Sequence, residues 1–393
     1  MPGEGPAPCL LCLATASGLP LFCRPPRPQV PFSLVGALHG VHLFGAAAGV
    51  ELREAATPTA HLAWGGYGDS ITLILLSPSP APPGPALART LDLAFGAMVL
   101  VLGLDELVPV RNVERLKREL RSCFGLIDAL LKPGGGWGLG PPCSPLPPGT
   151  PRDALQERLE RFSGAAHTDL GCLFFGGGAA GALRTRRWGA LPARDSALLA
   201  ALLPPGGALG PGPAARDLPV FLPNSSPQVP HRLLLLELVP GVGVALLCGP
   251  TPSLQHLVTQ LVPQFWGPVL EQLRGGARPP PPRAPPRSYL LIHQGRTRSG
   301  IVKGGGPAGS LPPHLRADAL RTLHTLLAPQ YSPEGGARGP PPGARLCYTA
   351  LPTHTGCCLL RPDLLLLLLL PPGTPRDPLH PTAMSALSAL TRE

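Results

Sequence analysis

Seven consecutive leucines lie near the end of the chain, in the stretch RPDLLLLLLLPPG from Arg361 to Gly373. A helix needs about 20 apolar residues to cross the hydrocarbon core of a membrane, and this run is closed by Pro362 and Asp363 before it and by two prolines after it. A short apolar run between turn signals is typical of a strand buried on both faces, or covered by helices on one of them. We therefore predict that the leucines form a central strand of a sheet.

Proline and glycine divide the rest of the chain into apolar blocks. The 57 prolines and 49 glycines among 393 residues are concentrated in a few segments such as KPGGGWGLGPPCSPLPPGTP and RGGARPPPPRAPPR. The apolar blocks between them are long enough for each to bury a core. This division predicts three domains at 1–132, 150–275 and 288–393, joined by linkers at 133–149 and 276–287.

The net charge of +10 is carried almost entirely by arginine, since Lys117, Lys132 and Lys303 are the lysines of the chain. Arginine, alanine, glycine and proline are all abundant and all have GC-rich codons, so the basic balance also has a compositional explanation. Aromatic residues make up 5% of the chain and do not interleave with a basic stripe, as they do on many nucleic-acid surfaces. We expect no nucleic-acid partner.

The N-terminal stretch MPGEGPAPCLLCLATASG imitates a signal peptide, but it has no basic start and contains Glu4 and three early prolines. We expect it to lead into the first strand of an intracellular, cytoplasmic protein. The ten cysteines are spaced irregularly and do not predict a disulfide framework.

Each block opens with two apolar stretches about a glycine-containing turn, which is typical of a β-hairpin. The three hairpins are CLLCLATASGLPLFCR, TDLGCLFFGGGAAGALRT and SYLLIHQGRTRSGIVKG. A helix candidate follows each one: PFSLVGALHGVHLF, ARDSALLAALL and RADALRTLHTLLAPQY, the last with Leu320, Leu323, Leu326 and Leu327 on one face.

Further strands and closing helices complete each block. The strands are AHLAWGG and DSITLILLS, then HRLLLLELVPGVGVALLCG, then RLCYTALPTHTGCCLL and the leucine run. The first block ends in two helices, the second of which starts after Asn112 as N-cap. The prediction is an α+β protein with three mainly antiparallel sheets and helices packed on them.

This order resembles that of the longin domain, and long stretches resemble the Fuzzy family of planar cell polarity effectors. The stretches are LLCLATASGLPLFCR, PFSLVGALHGVHLFG, DSITLILLS, FGAMVLVLGLDELVPVRNVERLKRELR, RDLPVFLPNSSPQVPHRLLLLELVP and LLCGPTPSLQHLVTQLVPQFW. They cover most of the first two blocks, and the third agrees in layout.

The resemblance implies a subunit of the CPLANE ciliogenesis complex with three longin-like domains, related to exchange-factor subunits of the Mon–Ccz type. The implied partners are an Inturned-type longin/PDZ protein, a Fritz-type WD-repeat protein and a Rab-like small GTPase. The implied location is the cytoskeleton at the ciliary base, the basal body.

The chain carries no motif that predicts catalysis. It has no G-x-S-x-G, no Walker loop and no H-E-x-x-H, and we expect no enzyme activity, cofactor or metal. Cys9 and Cys12 lie in a predicted apolar strand and are interpreted as buried structural thiols rather than half a zinc or redox site. Cys357 and Cys358 are adjacent in a strand and therefore point to opposite faces.

The helix PFSLVGALHGVHLF has more apolar residues than one sheet can cover, so a partner chain is one explanation. Burial within the block, with the chain leaving the helix at Val41, is the other. The resemblance favours a partner, because paired first longin domains form the GTPase platform in related exchange factors. The predicted interface residues are Phe32, Leu34, Val35, Leu38, Val41 and Phe44.

A basic and aromatic cluster, LRTRRW, ends at Trp188. Arg184, Arg186 and Arg187 in it are candidates for contact with anionic lipid headgroups, or they are a solvated strand end. The favoured function is a non-catalytic scaffold that pairs with the Inturned-type protein to recruit the GTPase. The alternatives are an independent longin-type membrane-trafficking adaptor and a hydrolase with a dispersed triad.

Overall fold

Three antiparallel sheets of five strands each form the framework of the chain, and all three have the same strand order. The computed structural model describes residues 8–26, 30–78, 84–131, 152–175, 181–203, 215–276, 286–293, 296–303, 319–320, 323, 345–350, 354–361, 364–377 and 379–391. In each sheet the first hairpin lies at one side, and the fifth strand lies beside the first. The predicted threefold repeat of the α+β fold is therefore confirmed.

The first sheet has the order β2-β1-β5-β4-β3. Its strands are β1 Cys9–Ala14, β2 Pro20–Arg24, β3 Glu54–Ala56, β4 Ala60–Tyr67 and β5 Ile71–Pro78. Its helices are α1 Phe32–Ala47, α2 Gly84–Leu102, α3 Leu104–Leu107, α4 Val113–Glu119 and α5 Phe124–Leu131. Helix α1 covers one face of the sheet, and α2 and α5 belong to the core on the other.

The predicted second closing helix of this domain is present but not continuous. Asn112 caps its start, because its Oδ1 accepts a hydrogen bond from the Arg115 backbone N–H at 2.9 Å. A 3₁₀ turn, Leu120–Cys123, separates α4 from α5. Leu120 and Cys123 are fully buried there, so the tighter turn still presents its apolar residues to the core.

The second sheet has the order β7-β6-β10-β9-β8. Its strands are β6 Gly171–Phe175, β7 Gly181–Arg184, β8 Ala215–Leu222, β9 Ser226–Val239 and β10 Val242–Cys248. Its helices are α6 Arg152–Ala165, α7 Arg186–Gly189, α8 Ala193–Leu202, α9 Leu254–His256, α10 Val262–Trp266 and α11 Leu270–Gly276. A π-helical turn follows α9 and a 3₁₀ turn follows α10.

The elements of the first two domains that were not predicted include α6, β8 and the short β3. Helix α6 has a clear sequence signal, since Leu155, Leu159 and Phe162 recur at helical spacing and are all buried. Strand β8 contains Pro219, which argues against a central strand. It lies at the edge of its sheet, where the N–H groups on the outer side of the strand have no ladder partner, so proline is tolerated there.

The third sheet has the order β12-β11-β15-β14-β13 and contains the leucine run. Its strands are β11 Pro286–His293, β12 Arg296–Lys303, β13 Arg345–Ala350, β14 Thr355–Arg361 and β15 Leu364–Leu370, followed by helix α12 Leu379–Thr391. The leucine run is β15, paired with β11 on one side and β14 on the other. The prediction of a central strand is confirmed.

Both faces of β15 are buried, which explains why the strand shows no alternation of polar and apolar residues. Leu366 and Leu368 pack with α12 residues such as Leu387 on one face. Leu367 packs with Leu320 and Leu323 on the other. Of the predicted helix that carries these two leucines, residues 319–320 and 323 are helical, and Leu326 and Leu327 lie outside the described residues.

The first two domains share one hydrophobic core, with α2 at its centre. This helix contacts β4 and β5 of its own sheet and β8 and α8 of the second domain. Two glycines allow the close approach. A Cβ on Gly96 would lie 2.9 Å from Leu198, and one on Gly103, where φ is +83°, would lie 2.9 Å from the Phe221 ring.

The predicted domain boundaries remain predictions. The strands of the first two sheets fall within 1–132 and 150–275, whereas β11 begins at Pro286, inside the segment predicted as the second linker. No helix in the described part of the chain is both long and apolar enough to span a bilayer.

Candidate partner interface on the first domain

Helix α1 has an inner face that packs on the first sheet. Val35, Leu38 and His39 are the buried residues of this helix. Val35 and Leu38 pack with an apolar cluster on the sheet that includes Leu11, Leu13, Leu62, Trp64 and Ile74. Val35 and Leu38 are therefore covered by the chain's own domain and are not available to a partner.

His39 ties this inner face to the turn between β1 and β2. Its Nε2 lies 2.8 Å from the carbonyl oxygen of Thr15, at hydrogen-bond distance. Gly18, with a φ of +65°, lies so close that a Cβ there would be 2.5 Å from the His39 ring. The pKa of His42, one turn further along, is lowered by burial and by the charge of His39.

The outer face of α1 is apolar and exposed. Phe32 is 73% exposed, Val41 54% and Phe44 78%, and Leu34 and Leu43 also have more than a third of their surface in solvent. Val50, just beyond the helix, is 60% exposed. Large exposed apolar residues are concentrated here, as at a surface that a partner covers.

The outer face has a defined shape. Phe32, Gly36, Gly40 and Phe44 follow one another at intervals of four residues, so they form one ridge of the helix. The two phenylalanines are about 18 Å apart along the axis. A Cβ at Gly36 or Gly40 would meet nothing within 4 Å. The ridge is therefore a saddle, low at the glycines and raised by an aromatic ring at each end.

The six residues predicted for the interface do not form one surface. Phe32, Leu34, Val41 and Phe44 are exposed, whereas Val35 and Leu38 face the sheet. The alternative in which the chain leaves the helix at Val41 does not occur, because α1 continues to Ala47. A helix of this length places residues on all sides, and a sheet covers about one side of it.

The basic cluster differs from the predicted strand end. Strand β7 ends at Arg184, and Arg186 and Arg187 start the short helix α7. Arg186 and Arg187 are exposed, and Arg187 lies 3.7 Å from the Asp169 carboxylate. Trp188 is 3% exposed, so the aromatic member of the cluster belongs to the core and not to a surface.

Arg184 occupies a different environment from its two neighbours. It is half-buried, and its Nε has no hydrogen-bond partner among the described residues. Its backbone carbonyl accepts a hydrogen bond from the Gln156 side chain at 3.0 Å. Arg186 and Arg187 are thus the members of the cluster that present their charge to solvent.

The cysteines of the first hairpin lie on two faces of the sheet. Cys12 is fully buried in the core shared with the second domain, as predicted for a structural thiol. The same prediction is wrong for Cys9, which is only half-buried, because it lies on the opposite face near the start of β1, beside Cys23 of β2. Cys357 and Cys358 also pack on opposite faces of their sheet. Among the described residues, no three His, Cys, Asp or Glu side chains are grouped so as to hold a metal ion.

Comparison with known proteins gives matches over nearly the whole chain. Residues 8–130 match the model described as the first longin domain of FUZ, MON1 and HPS1, and residues 171–267 match the second longin domain of the same group. Helix α1 falls within the first of these ranges.

The chain is also similar to three curated proteins named "Protein fuzzy homolog". It is 40% identical to the one from Mus musculus over 420 residues and 39% identical to the one from Homo sapiens over 422 residues, in both cases covering 99% of this chain and 98% of the relative. It is 36% identical to the one from Xenopus tropicalis over 415 residues, covering 98% of each chain.

Proposed function

Since this chain belongs to the Fuzzy family of planar cell polarity effectors, we propose that it is a non-catalytic scaffold subunit of a ciliogenesis complex. In this proposal it pairs through its first longin domain with an Inturned-type longin/PDZ protein and is joined by a Fritz-type WD-repeat protein. The pair recruits a Rab-like small GTPase at the ciliary base.

The observation that carries the proposal is the exposed apolar saddle on α1. Phe32 and Phe44 expose most of their surface, and aromatic residues are enriched at the centres of protein interfaces. The open backbone at Gly36 and Gly40 admits a helix of the partner at close range between them. A stable interface covers about 800 Å² on each side, so the saddle would be its centre rather than the whole of it.

The mechanism that follows is binding. A surface shared by two longin domains favours whichever nucleotide state of the GTPase it contacts better, because a ligand shifts an equilibrium only by its difference in affinity for the two states. The chain supplies one half of such a surface. This accounts for an exchange-factor-like role without a catalytic group on the chain itself.

Peripheral membrane contact at the basic cluster is a second part of the proposal. Each arginine near an anionic surface contributes on the order of 1 kcal/mol, and Arg186 and Arg187 are exposed. Changing both to Glu is expected to reduce co-flotation with vesicles that contain anionic lipid. Unchanged flotation contradicts this contact.

Co-expression with an Inturned-type protein tests the main proposal. Size-exclusion chromatography with light scattering is expected to show a stable one-to-one complex. Val41→Asp should abolish pairing, because it places an unpaired charge in the buried interface. Val229→Asp is the matched control, since Val229 is 60% exposed, against 54% for Val41, and lies in β9 of the second domain.

The outcomes separate the proposal from its alternative. If the Val41→Asp variant still pairs with the Inturned-type protein, α1 is not part of the interface. A chain that is a stable monomer and ignores the Inturned-type protein contradicts the scaffold function and favours the independent trafficking adaptor.

A further inference from the structure

Cys9 and Cys23 face each other across the first hairpin. Leu11 pairs directly with Cys23 in the ladder between β1 and β2. Cys9 lies two residues before Leu11 and therefore points to the same face, diagonally opposite Cys23. The two sulfur atoms are 3.2 Å apart. Both side chains are half-buried, so a small reagent can reach them.

The surroundings of the pair make its two thiols unequal. The two thiols share a hydrogen bond in which either sulfur can be the donor. Cys23 also accepts a hydrogen bond from the backbone N–H of Val30, and the guanidinium of Arg24 is close. These contacts lower the pKa of Cys23 to about 7 against the effect of burial. The pKa of Cys9 is raised by its hydrogen bond with Cys23 and by partial burial.

The charge of Arg24 is itself held in place. Its guanidinium donates to both oxygens of Asp128 on α5, with an Nε to Oδ1 distance of 2.8 Å, and lies 4.8 Å from the centre of the Phe124 ring. Asp128 offsets part of the positive charge. The groups near the Cys23 thiol are therefore the Cys9 thiol, the guanidinium of Arg24 with the carboxylate of Asp128, and the backbone N–H of Val30.

Other cysteines of the described structure lack this combination. Cys12 and Cys123 are fully buried, and burial raises the pKa of each. Cys347 lies directly opposite Cys358 in the ladder of β13 and β14, but Cys358 is 2% exposed and its pKa is raised to about 12, chiefly by burial. A buried thiol that stays protonated is a poor nucleophile.

We propose that Cys9 and Cys23 form a redox-active dithiol that a hydroperoxide converts to an intramolecular disulfide. The Cys23 thiolate attacks the peroxide oxygen, the O–O bond breaks, and Cys23 becomes a sulfenic acid while the leaving oxygen takes a proton. The Cys9 sulfur then attacks the Cys23 sulfur. The S–O bond breaks, and the hydroxide leaves as water with the Cys9 proton. Two thiols lose two electrons and two protons, and hydrogen peroxide is reduced to two waters.

The two sulfur atoms already lie close to each other. A disulfide bond is about 2.05 Å long, so the sulfur atoms must approach by about 1 Å on strands that are already paired. Cys9 acts as the resolving thiol because it is the nearest one to Cys23. The disulfide would replace the thiolate that accepts from the Val30 N–H by a weaker acceptor, and Val30 lies two residues before α1.

Peptide mapping of the reduced full-length chain tests the proposal. The chain is treated with one equivalent of hydrogen peroxide at pH 7, its remaining thiols are blocked with N-ethylmaleimide, and it is digested without reduction. Chymotrypsin is used, because no Lys or Arg lies between Cys9 and Cys23. The expected product is a cross-linked peptide pair that joins Cys9 to Cys23, two hydrogens lighter than the separate peptides.

Two variants and a control identify the roles. In Cys9→Ser the reaction should stop at the sulfenic acid of Cys23, which dimedone traps. In Cys23→Ser the Cys9 thiol should stay reduced at the same dose. Cys347→Ser is the control and should leave the cross-link unchanged.

Three results would overturn the proposal: both cysteines remaining open to N-ethylmaleimide, a first cross-link at Cys347 and Cys358, or one between Cys9 and Cys12. The wild-type map decides among these without any variant. Its conclusion therefore does not depend on whether a substituted chain folds.

Discussion

The guanidinium of Arg194 in the second domain lies 3.4 Å from the carboxylate of Asp92 in the first. The same carboxylate accepts a hydrogen bond from the Tyr67 hydroxyl at 3.0 Å, and the Tyr67 ring stacks on Phe95 with the ring centres 4.1 Å apart. The ion pair between Arg194 and Asp92 is partly exposed, so its contribution to stability is at most about 1 kcal/mol. The shared apolar core around α2 contributes more to joining the two domains.

Gly103→Ala should destabilise the first two domains by about 1 to 3 kcal/mol. The change places a Cβ at positive φ and 2.9 Å from the Phe221 ring of the other domain. Urea unfolding measures the loss. Gly49→Ala is the control, because Gly49 also has a positive φ, +72°, but open space around it. Equal losses in the two variants would show that the contact with Phe221 carries no cost.

Replacing Gly36 and Gly40 by Ala should separate stability from partner binding. Alanine stabilises an exposed helix interior by about 1 kcal/mol relative to glycine, and both sites are open. The free chain should therefore unfold at higher urea. The added methyl groups fill the saddle, so pairing with an Inturned-type protein should weaken about tenfold or more, because overpacking costs about 1 to 3 kcal/mol.

Gly164→Ala is the matched control for this pair. Gly164 is exposed in α6 of the second domain and has nothing within 4 Å of its Cβ position. It should leave pairing unchanged. If the double variant pairs as tightly as the wild type, the partner does not approach the helix at the glycines.

Leu367→Ala should cost about 2 to 5 kcal/mol in the stability of the third domain. Leu367 is fully buried in the centre of β15, and the shortened side chain leaves a cavity between the sheet and Leu320 and Leu323. Leu365→Ala in the same strand should cost less, since Leu365 is only partly buried. Calorimetry of the two variants checks the order, and a larger loss for Leu365 would contradict the burial described for β15.

Acidification from pH 7.5 to 5.5 should lower the free energy of unfolding. Burial lowers the pKa of His42, His231 and His354 in the folded chain, whereas the unfolded value is about 6.5. Below about pH 6.5 the unfolded chain binds more protons than the folded one, so the free energy of unfolding decreases as the pH decreases. The stability that depends on neutral histidines is fully present above about pH 6.5. It is lost as the pH falls through the lowered pKa values of the three histidines in the folded chain.

Urea titrations at several pH values measure this dependence. Changing the three histidines to Gln should reduce the slope of stability against pH, while His256→Gln, at an exposed position, should not. A slope that is flat or has the opposite sign in the wild type would contradict the role of these three histidines.

The leucine run shows how far local pattern can determine structure. A run of seven leucines between prolines is too short to span a membrane and too apolar to face water. A strand covered on both faces accounts for both properties. The hairpins and the Asn112 cap were predictable for the same reason, because each depends on neighbouring residues. Helix α6 carries an equally local signal in Leu155, Leu159 and Phe162.

The candidate interface was predictable only in part. An excess of apolar residues on α1 indicates that something besides its own sheet covers it, but not which residues face outward. That depends on the helix continuing past Val41 and on Val35 and Leu38 meeting the sheet. The saddle at Gly36 and Gly40 and the contact between Cys9 and Cys23 likewise require the positions of whole elements.

The sequence by itself determined three repeated α+β units and the family to which they belong, since both depend on patterns that run along the chain. Only the tertiary structure decided that α2 joins two domains in one core, that Arg194 meets Asp92 across them, and that Cys9 and not Cys12 lies beside Cys23. The first two relationships join residues far apart in sequence, and the packing of sheets and helices decides which of these residues meet, because close packing leaves room for few arrangements. The third depends on the register of the first hairpin.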